Sequence, residues 1–312
     1  MQNEKLIIYS TFAFLLIVRF SPITTLLSLI KMPEIKELNR IASQIRRDIV
    51  RMVHACQSGH PGGSLGCADL FTALFFSELQ HKPWNFNMDV QGEDLFFLSN
   101  GHISPVYYSA LARSGFFPLS ELATFRRIHS RLQGHPATLE GLPGVRVATG
   151  SLGQGLSVAL GAAIAKRLNK DDSLVFVLMG DGEQQEGQIW EAALHAGSRQ
   201  IDNLIGIIDY NDKQIDGPVN EVMPLGNLRA KYESFGWKVI PLNGNDMEEV
   251  VEKLKLARKE AFSGQPQLLL MKTEMGQGVD FMMGTHKWHG VAPNDEQLAS
   301  ALAQLEETIG DY

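Results

Sequence analysis

The stretch Ser173–Lys213, SLVFVLMGDGEQQEGQIWEAALHAGSRQIDNLIGIIDYNDK, carries the reading of the whole chain. It opens on a continuous apolar run, 173–179, passes through Gly180-Asp181-Gly182, and enters a segment with helical apolar spacing over 186–197. A second apolar run at 203–209 then ends in Asp209-Tyr210-Asn211-Asp212-Lys213. Strand, turn, helix and strand over this length describe one βαβ crossover. Short runs apolar on both faces are the mark of a parallel sheet covered on both sides.

The pattern continues in both directions. Runs at 95–99, 237–242 and 267–273 read as further strands. Helix-period patterns cover 34–57, 66–79, 103–113, 155–168, 186–197, 246–262 and 295–308. The expected fold is therefore α/β, a doubly wound, mainly parallel sheet with helices on both faces. No internal repeat or Pro/Ser-rich linker divides residues 32–312, which read as one domain. Residues 213–230 and 274–294 are long and Gly-rich without periodicity, as functional loops often are.

Composition narrows the function class. Of 312 residues, 44% are hydrophobic and 20% charged, which excludes disorder as a description of the whole. The formal net charge of −7 and the lack of a basic stripe argue against a nucleic-acid partner. Two cysteines, Cys56 and Cys67, exclude a disulfide framework and a four-cysteine zinc site, and they fit a reducing, cytoplasmic compartment. Residues 6–30 stand apart, with one charge, Arg19, and one proline, Pro22. They are long enough for a membrane span even with a central Arg costing about 2.5–3.5 kcal/mol. Three readings exist: an upstream extension translated from a wrong start ahead of Met32, an anchor, and a signal peptide. The extension is preferred because an amphipathic helix begins just after Met32, so residues 1–31 are set aside from the fold and a membrane location is not expected.

In an open α/β sheet, ligands sit at the carboxyl ends of strands, which is where Asp181 and Asn211 fall, thirty residues apart. Flanking glycines let the backbone approach a diphosphate closely. A carboxylate, an amide oxygen and a nearby backbone carbonyl, that of Lys213, are hard ligands suited to Mg²⁺ or Ca²⁺ shared with phosphate oxygens. Gly-Asp-Gly alone is also an ordinary turn; with strand, helix, strand and Asn in order it is a strong signal.

This combination resembles the thiamine diphosphate-binding motif. Further segments are similar to transketolases: Ser58–Gly66 (SGHPGGSLG), Leu98–His102 (LSNGH), Gly134-His135-Pro136, Thr149–Gly155 (TGSLGQG) and Trp288-His289-Gly290. The resemblance covers about residues 35–295 and is to the N-terminal, diphosphate-binding subunit of transketolases split into two chains. It implies a transferase of the pentose phosphate pathway that moves a two-carbon ketol unit between sugar phosphates. It implies thiamine diphosphate and Mg²⁺, with Ca²⁺ or Mn²⁺ able to substitute. It implies His102 and His289 beside the diphosphate and the reacting carbon, and His60 and His135 on the substrate's hydroxyls and carbonyl. Gly150, Ser151 and Leu152 would hold the thiamine, with Asp181, Gly182 and Asn211 at its diphosphate. Glu186, plainly a favourable charge at a helix N-terminus, would link paired sites across a dimer.

Of nine histidines, His54, His81, His129, His195 and His286 read as structural, whereas the other four lie beside Gly or Pro in loops. Imidazole titrates where ketol transfer must move protons. Two departures stand out: GGSLG lacks the Pro found before the Leu in many one-chain enzymes, and Met275 and Gln277 occupy a loop more basic in some relatives. No second αβ unit remains to supply the acid that activates the aminopyrimidine, so the expected partner is a pyrimidine-domain subunit, in a heterotetramer. The competing readings are an α-subunit of an oxo-acid dehydrogenase, a deoxyxylulose-phosphate synthase, which would need far more length, and a non-catalytic module of the same fold. A module should have lost some of Asp181, Asn211, His60 or His135. The oxo-acid reading has no polyol for four histidines to grip.

Overall fold

Each of the five apolar runs forms a strand in the computed structural model, which describes residues 33–88 and 91–312. In chain order the elements are α1 (Ile35–Cys56), α2 (Pro61–Gly66), α3 (Ala68–Ala73), β1 (Leu95–Leu98), α4 (Ser104–Arg113), α5 (Gly155–Leu168), β2 (Val175–Gly180) and α6 (Gly187–Ser198). There follow β3 (Leu204–Tyr210), a two-residue hairpin of β4 (Lys213–Gln214) and β5 (Gly217–Pro218), α7 (Val219–Val222), α8 (Leu228–Ser234), β6 (Lys238–Asn243), α9 (Met247–Lys259), β7 (Gln267–Lys272) and α10 (Asp295–Gln304). The extension read in residues 1–31 lies outside the described residues. Among the described residues no helix is long and apolar enough to cross a membrane.

The sheet runs β1-β2-β3-β7-β6, and all its pairings are parallel. Side chains alternate between two cores because successive strand residues point to opposite faces. In β2, Phe176 and Leu178 join the core under α1, α3, α4 and α9, while Val175, Val177 and Met179 join the core under α5, α6 and α8. In β3, Ile205 and Ile207 point to the first core and Leu204 and Ile208 to the second. Fully burying a side chain of this size contributes about 1.5–3 kcal/mol, so the strands are fixed in register from both sides. Stepping from β1 through β2 and β3 to β6 keeps α5, α6 and α8 on one face. Stepping back from β6 to β7 puts α9 on the other, as crossovers of one hand require.

The chain leaving β1 turns into α4 on the first face, and the chain leaving β2 turns into α6 on the second. Their divergence opens a crevice at the carboxyl ends of β1, β2 and β3.

Four helix assignments differ from the sequence reading, and two of them, α2 inside the SGHPGGSLG segment and α7 inside 213–230, are helices too short to show a period. The pattern at 66–79 is not one helix: α3 ends at Ala73 and continues as a π-turn over Leu74–Glu78. Helix α8 falls at the end of the stretch read as aperiodic; it has seven residues, too few to show a period, and starts from an Asn227 cap whose side chain accepts from Ala230 N–H.

Candidate functional site

The crevice floor is built by the strand ends. After Gly180 the chain makes a 3₁₀ turn, Gly182–Gln185, before α6. Asp181 caps that turn and is almost fully buried. Its carboxylate accepts from Gly182 N–H (2.7 Å) and from Asp212 N–H (2.5 Å), so it ties the end of β2 to the loop after β3. Asp209, also buried, accepts from the Asn211 amide (2.8 Å) and from the Thr273 hydroxyl at the end of β7. With its NH₂ held there, Asn211 turns its oxygen to the backbone N–H of Lys213 (2.9 Å). Burial, with the Asp209 charge adding to it, pushes the Asp181 carboxyl up to about 7, and burial also raises Asp209.

Two buried acids meet here, and neither has an ion-pair partner among the described residues. A cation beside Asp181 would relieve that arrangement. The Asp181 carboxylate and the Asn211 amide oxygen are hard oxygens that fit a divalent ion such as Mg²⁺, as would the carbonyl of Lys213, which also lines the crevice. Among the described residues no group of three or more His, Cys, Asp or Glu forms a metal cluster. An ion here would therefore need further oxygens from a bound phosphate or water.

Above this floor lies a cavity of about 190 Å³ whose lining includes Asn100, His102, Leu152, Asp181, Asn211 and His289. Gly182, Glu186 and Lys213 also line it. Asn100 Oδ1 and His289 Nδ1 are buried with no partner in the protein, as groups awaiting a polar ligand would be. One side chain braces the whole mouth. The buried Glu183 accepts from Gly153 N–H (2.8 Å), from Gly180 N–H (3.0 Å) and from the Ser99 hydroxyl. It thereby joins the loop before α5, the end of β2 and the end of β1. Burial lifts Glu183 above the usual carboxylate range against the pull of these three bonds.

Two loop histidines, His102 and His289, line the cavity, and His60 and His135 do not line it but cluster beside them. His60 lies with ring centroids 5.0 Å from His102, 5.8 Å from His289 and 6.3 Å from His135, and His102 lies 5.1 Å from His289. Burial lowers all four below the ordinary range, and for His60, brought to about 4, His289, Arg126 and His135 add to it. The rings are neutral at neutral pH and each can both give and accept a proton. The histidines read as structural have other company: His54 pairs with Asp295 at 2.8 Å, and His81 stacks on Phe116 at 5.4 Å.

The remaining residues singled out from the sequence are distributed unevenly. Leu152 reaches the cavity, but Gly150 and Ser151 do not line it. Gly150 has φ 140°, and a Cβ there would come within 2.9 Å of His135 Cδ2, so its lack of a side chain gives that histidine room. Ser151 is exposed. Glu186 occupies the N-cap of α6 without a side-chain cap bond, and its stem packs against Gly153. Met275 is buried over Gly62, which accounts for it by packing. Sequence reasoning passed over Asn100, Glu183 and Asp209. All three sit inside or beside quoted motifs, but Glu183 and Asp209 show their roles only through contacts with distant segments.

Comparison with known proteins gives a consistent answer. Residues 38–307 match the family described as transketolase, thiamine diphosphate binding domain. The chain is 37% identical over 276 residues to an apulose-4-phosphate transketolase subunit from Phocaeicola vulgatus, covering 88% of this chain and 96% of that one. It is 36% identical to the 6-deoxy-6-sulfo-D-fructose transketolase subunit SqwG of Clostridium sp., covering 87% and 97%. Among solved structures, transketolase from Campylobacter jejuni superposes with a TM-score of 0.82 at 35% identity, over 88% of this chain and 43% of that one. The chain spans less than half of that enzyme and nearly all of the two subunits. It therefore belongs to the transketolase family, as an N-terminal, thiamine diphosphate-binding subunit.

Proposed function

We propose that this chain supplies the diphosphate half of a ketol-transfer site, active with a pyrimidine-domain partner. The observation that carries the reading is one cavity lined by both the Asp181–Asn211 floor and the neutral His102 and His289, with His60 and His135 clustered beside these two. In this reading Asp181, Asn211 and the Lys213 carbonyl hold Mg²⁺, and Gly182 lets the backbone close on the diphosphate. Thiamine diphosphate, when bound, supplies the carbanion chemistry. His102 and His289 flank it, and the unpartnered His289 Nδ1 is free to meet a polar atom of ligand. His60 and His135, being uncharged, accept protons from sugar hydroxyls and return them without first shedding one of their own. His60 Nδ1 is likewise buried and unpaired in the protein.

The substrates belong to the sugar phosphates and their close analogues, as the names of the two subunit relatives suggest, and the pentose phosphate pathway is one setting for them. Two copies each of this chain and its partner in a cytoplasmic heterotetramer complete the proposal, Glu186 lying near the seam. The oxo-acid dehydrogenase reading gives the histidine cluster no polyol to hold.

The test is ketol transfer from xylulose 5-phosphate to ribose 5-phosphate with thiamine diphosphate and Mg²⁺. It is run on the full chain alone and after mixing with the pyrimidine-domain subunit. Silence alone and turnover on mixing support the reading. Turnover by the chain alone overturns the half-site, and silence in both arms across a panel of ketose phosphate donors favours a non-catalytic module.

A further inference from the structure

The loops bearing His60 and His135 are joined by a residue that the cofactor site does not use. Arg126 has φ 57°, the left-handed region that a side chain with a Cβ occupies at a cost. Its N–H donates to Leu132 C=O (2.8 Å), which closes the loop back toward His135. The guanidinium Nη1 donates to Ser58 Oγ (2.9 Å), two residues before His60. The same group fills the space over Gly134, the residue before His135: a Cβ there would lie 2.5 Å from Arg126 Cζ. Arg126 Nε is buried without a partner. The neighbouring Phe125 ring is 5.5 Å below the guanidinium carbon and would also touch a Cβ on Gly59 at 3.5 Å. A strained backbone, a cross-loop hydrogen bond and a glycine that makes way for the charge all converge on one side chain.

We propose that Arg126 is a positioning residue for the substrate-facing histidines: its guanidinium clasps Ser58 to Gly134, next to His60 and His135, and sets a fixed positive charge near both imidazoles. The assignment of His60 and His135 to substrate rests on the function proposed above; the clasp itself does not. The charge matters because a base must be uncharged to take a proton. His60 faces His102, His289, His135 and Arg126, and the charge of Arg126 helps hold it low. His135 faces His60 and Arg126, and after burial Arg126 is the cause of its lowered value. Lysine could supply the charge but not the planar fork that spans two loops.

The experiment is an NMR pH titration of the histidine ring signals in the full chain, with neither cofactor, partner nor sugar present. Its outcome is thus independent of whether the histidines serve ketol transfer. R126Q removes the charge, R126K keeps it without the fork, and G134A leaves the arginine but takes its space. Far-UV circular dichroism checks that each variant is folded. The expected result is an upward shift of the His135 midpoint in R126Q and G134A, with a smaller one in R126K and a smaller shift at His60 than at His135. Unchanged His135 and His60 midpoints in R126Q overturn the proposal, and so does a shift in R126K as large as in R126Q. If R126Q does not fold, G134A decides, and an unmoved His135 midpoint there overturns it equally.

Discussion

Replacing Glu183 by Ala should cost more than any other single truncation at the mouth of the cavity. The carboxylate receives the Gly153 and Gly180 N–H groups and the Ser99 hydroxyl, all in a buried setting. Ala leaves two buried backbone donors unpaired at about 1–3 kcal/mol each, while the serine hydroxyl can rotate to another acceptor. Against this stands the relief of a carboxylate that burial already disfavours. The net expectation is a loss of about 2–4 kcal/mol. Glu183→Gln keeps one acceptor oxygen for two of the three donors but turns an NH₂ toward the third, so a loss of about 1–2 kcal/mol should follow. Urea unfolding of the full chain reads both values, the midpoint falling while the slope is unchanged. A Glu183→Ala unfolding free energy within about 0.5 kcal/mol of the parent, the range of neutral surface changes, refutes the idea that this side chain holds the three segments together.

Gly150→Ala should lose about 1–3 kcal/mol through its positive φ, and the ring signals of His135 should move because the new Cβ meets them; an unperturbed His135 spectrum contradicts the packing. His60 titrates at about 4 in the fold against about 6.5 when unfolded, so the unfolded chain binds more protons in that window and stability falls as pH drops. Between pH 7.5 and 5 this one group should remove about 2 kcal/mol, a loss that His60→Gln abolishes; equal acid sensitivity in the two proteins counts against its being buried and neutral. His135→Ala should retain thiamine diphosphate and lose turnover in the assembled enzyme, seen as a fall in kcat; weakened cofactor binding instead would place His135 on the cofactor.

The sheet was legible because its signal is local. Val175–Met179 and Leu204–Ile208 are apolar on both faces, and their short length and Gly- or Asp-bounded ends favour covered strands over buried helices. The floor of the site was legible for a related reason: Asp181 and Asn211 sit at strand ends, so finding the strands finds them. What stayed hidden depends on contacts between segments. Glu183 looks like any acid near a helix start until Ser99 and Gly153 arrive from other loops. Arg126 is one of two adjacent arginines, and only the fold turns it toward Ser58 and Gly134. The break after α3 likewise came from packing, since the apolar period runs on through the π-turn at Leu74–Glu78.

The claim that this chain builds the diphosphate end of a thiamine site is tested most directly by calorimetric titration of thiamine diphosphate into the full chain. Parent and Asp181→Asn proteins are each measured with Mg²⁺ and with EDTA. Binding by the parent should require Mg²⁺ and be weakened at least about tenfold, or about 1.4 kcal/mol, by Asp181→Asn. Binding that is indifferent to both EDTA and the loss of Asp181 would contradict the claim.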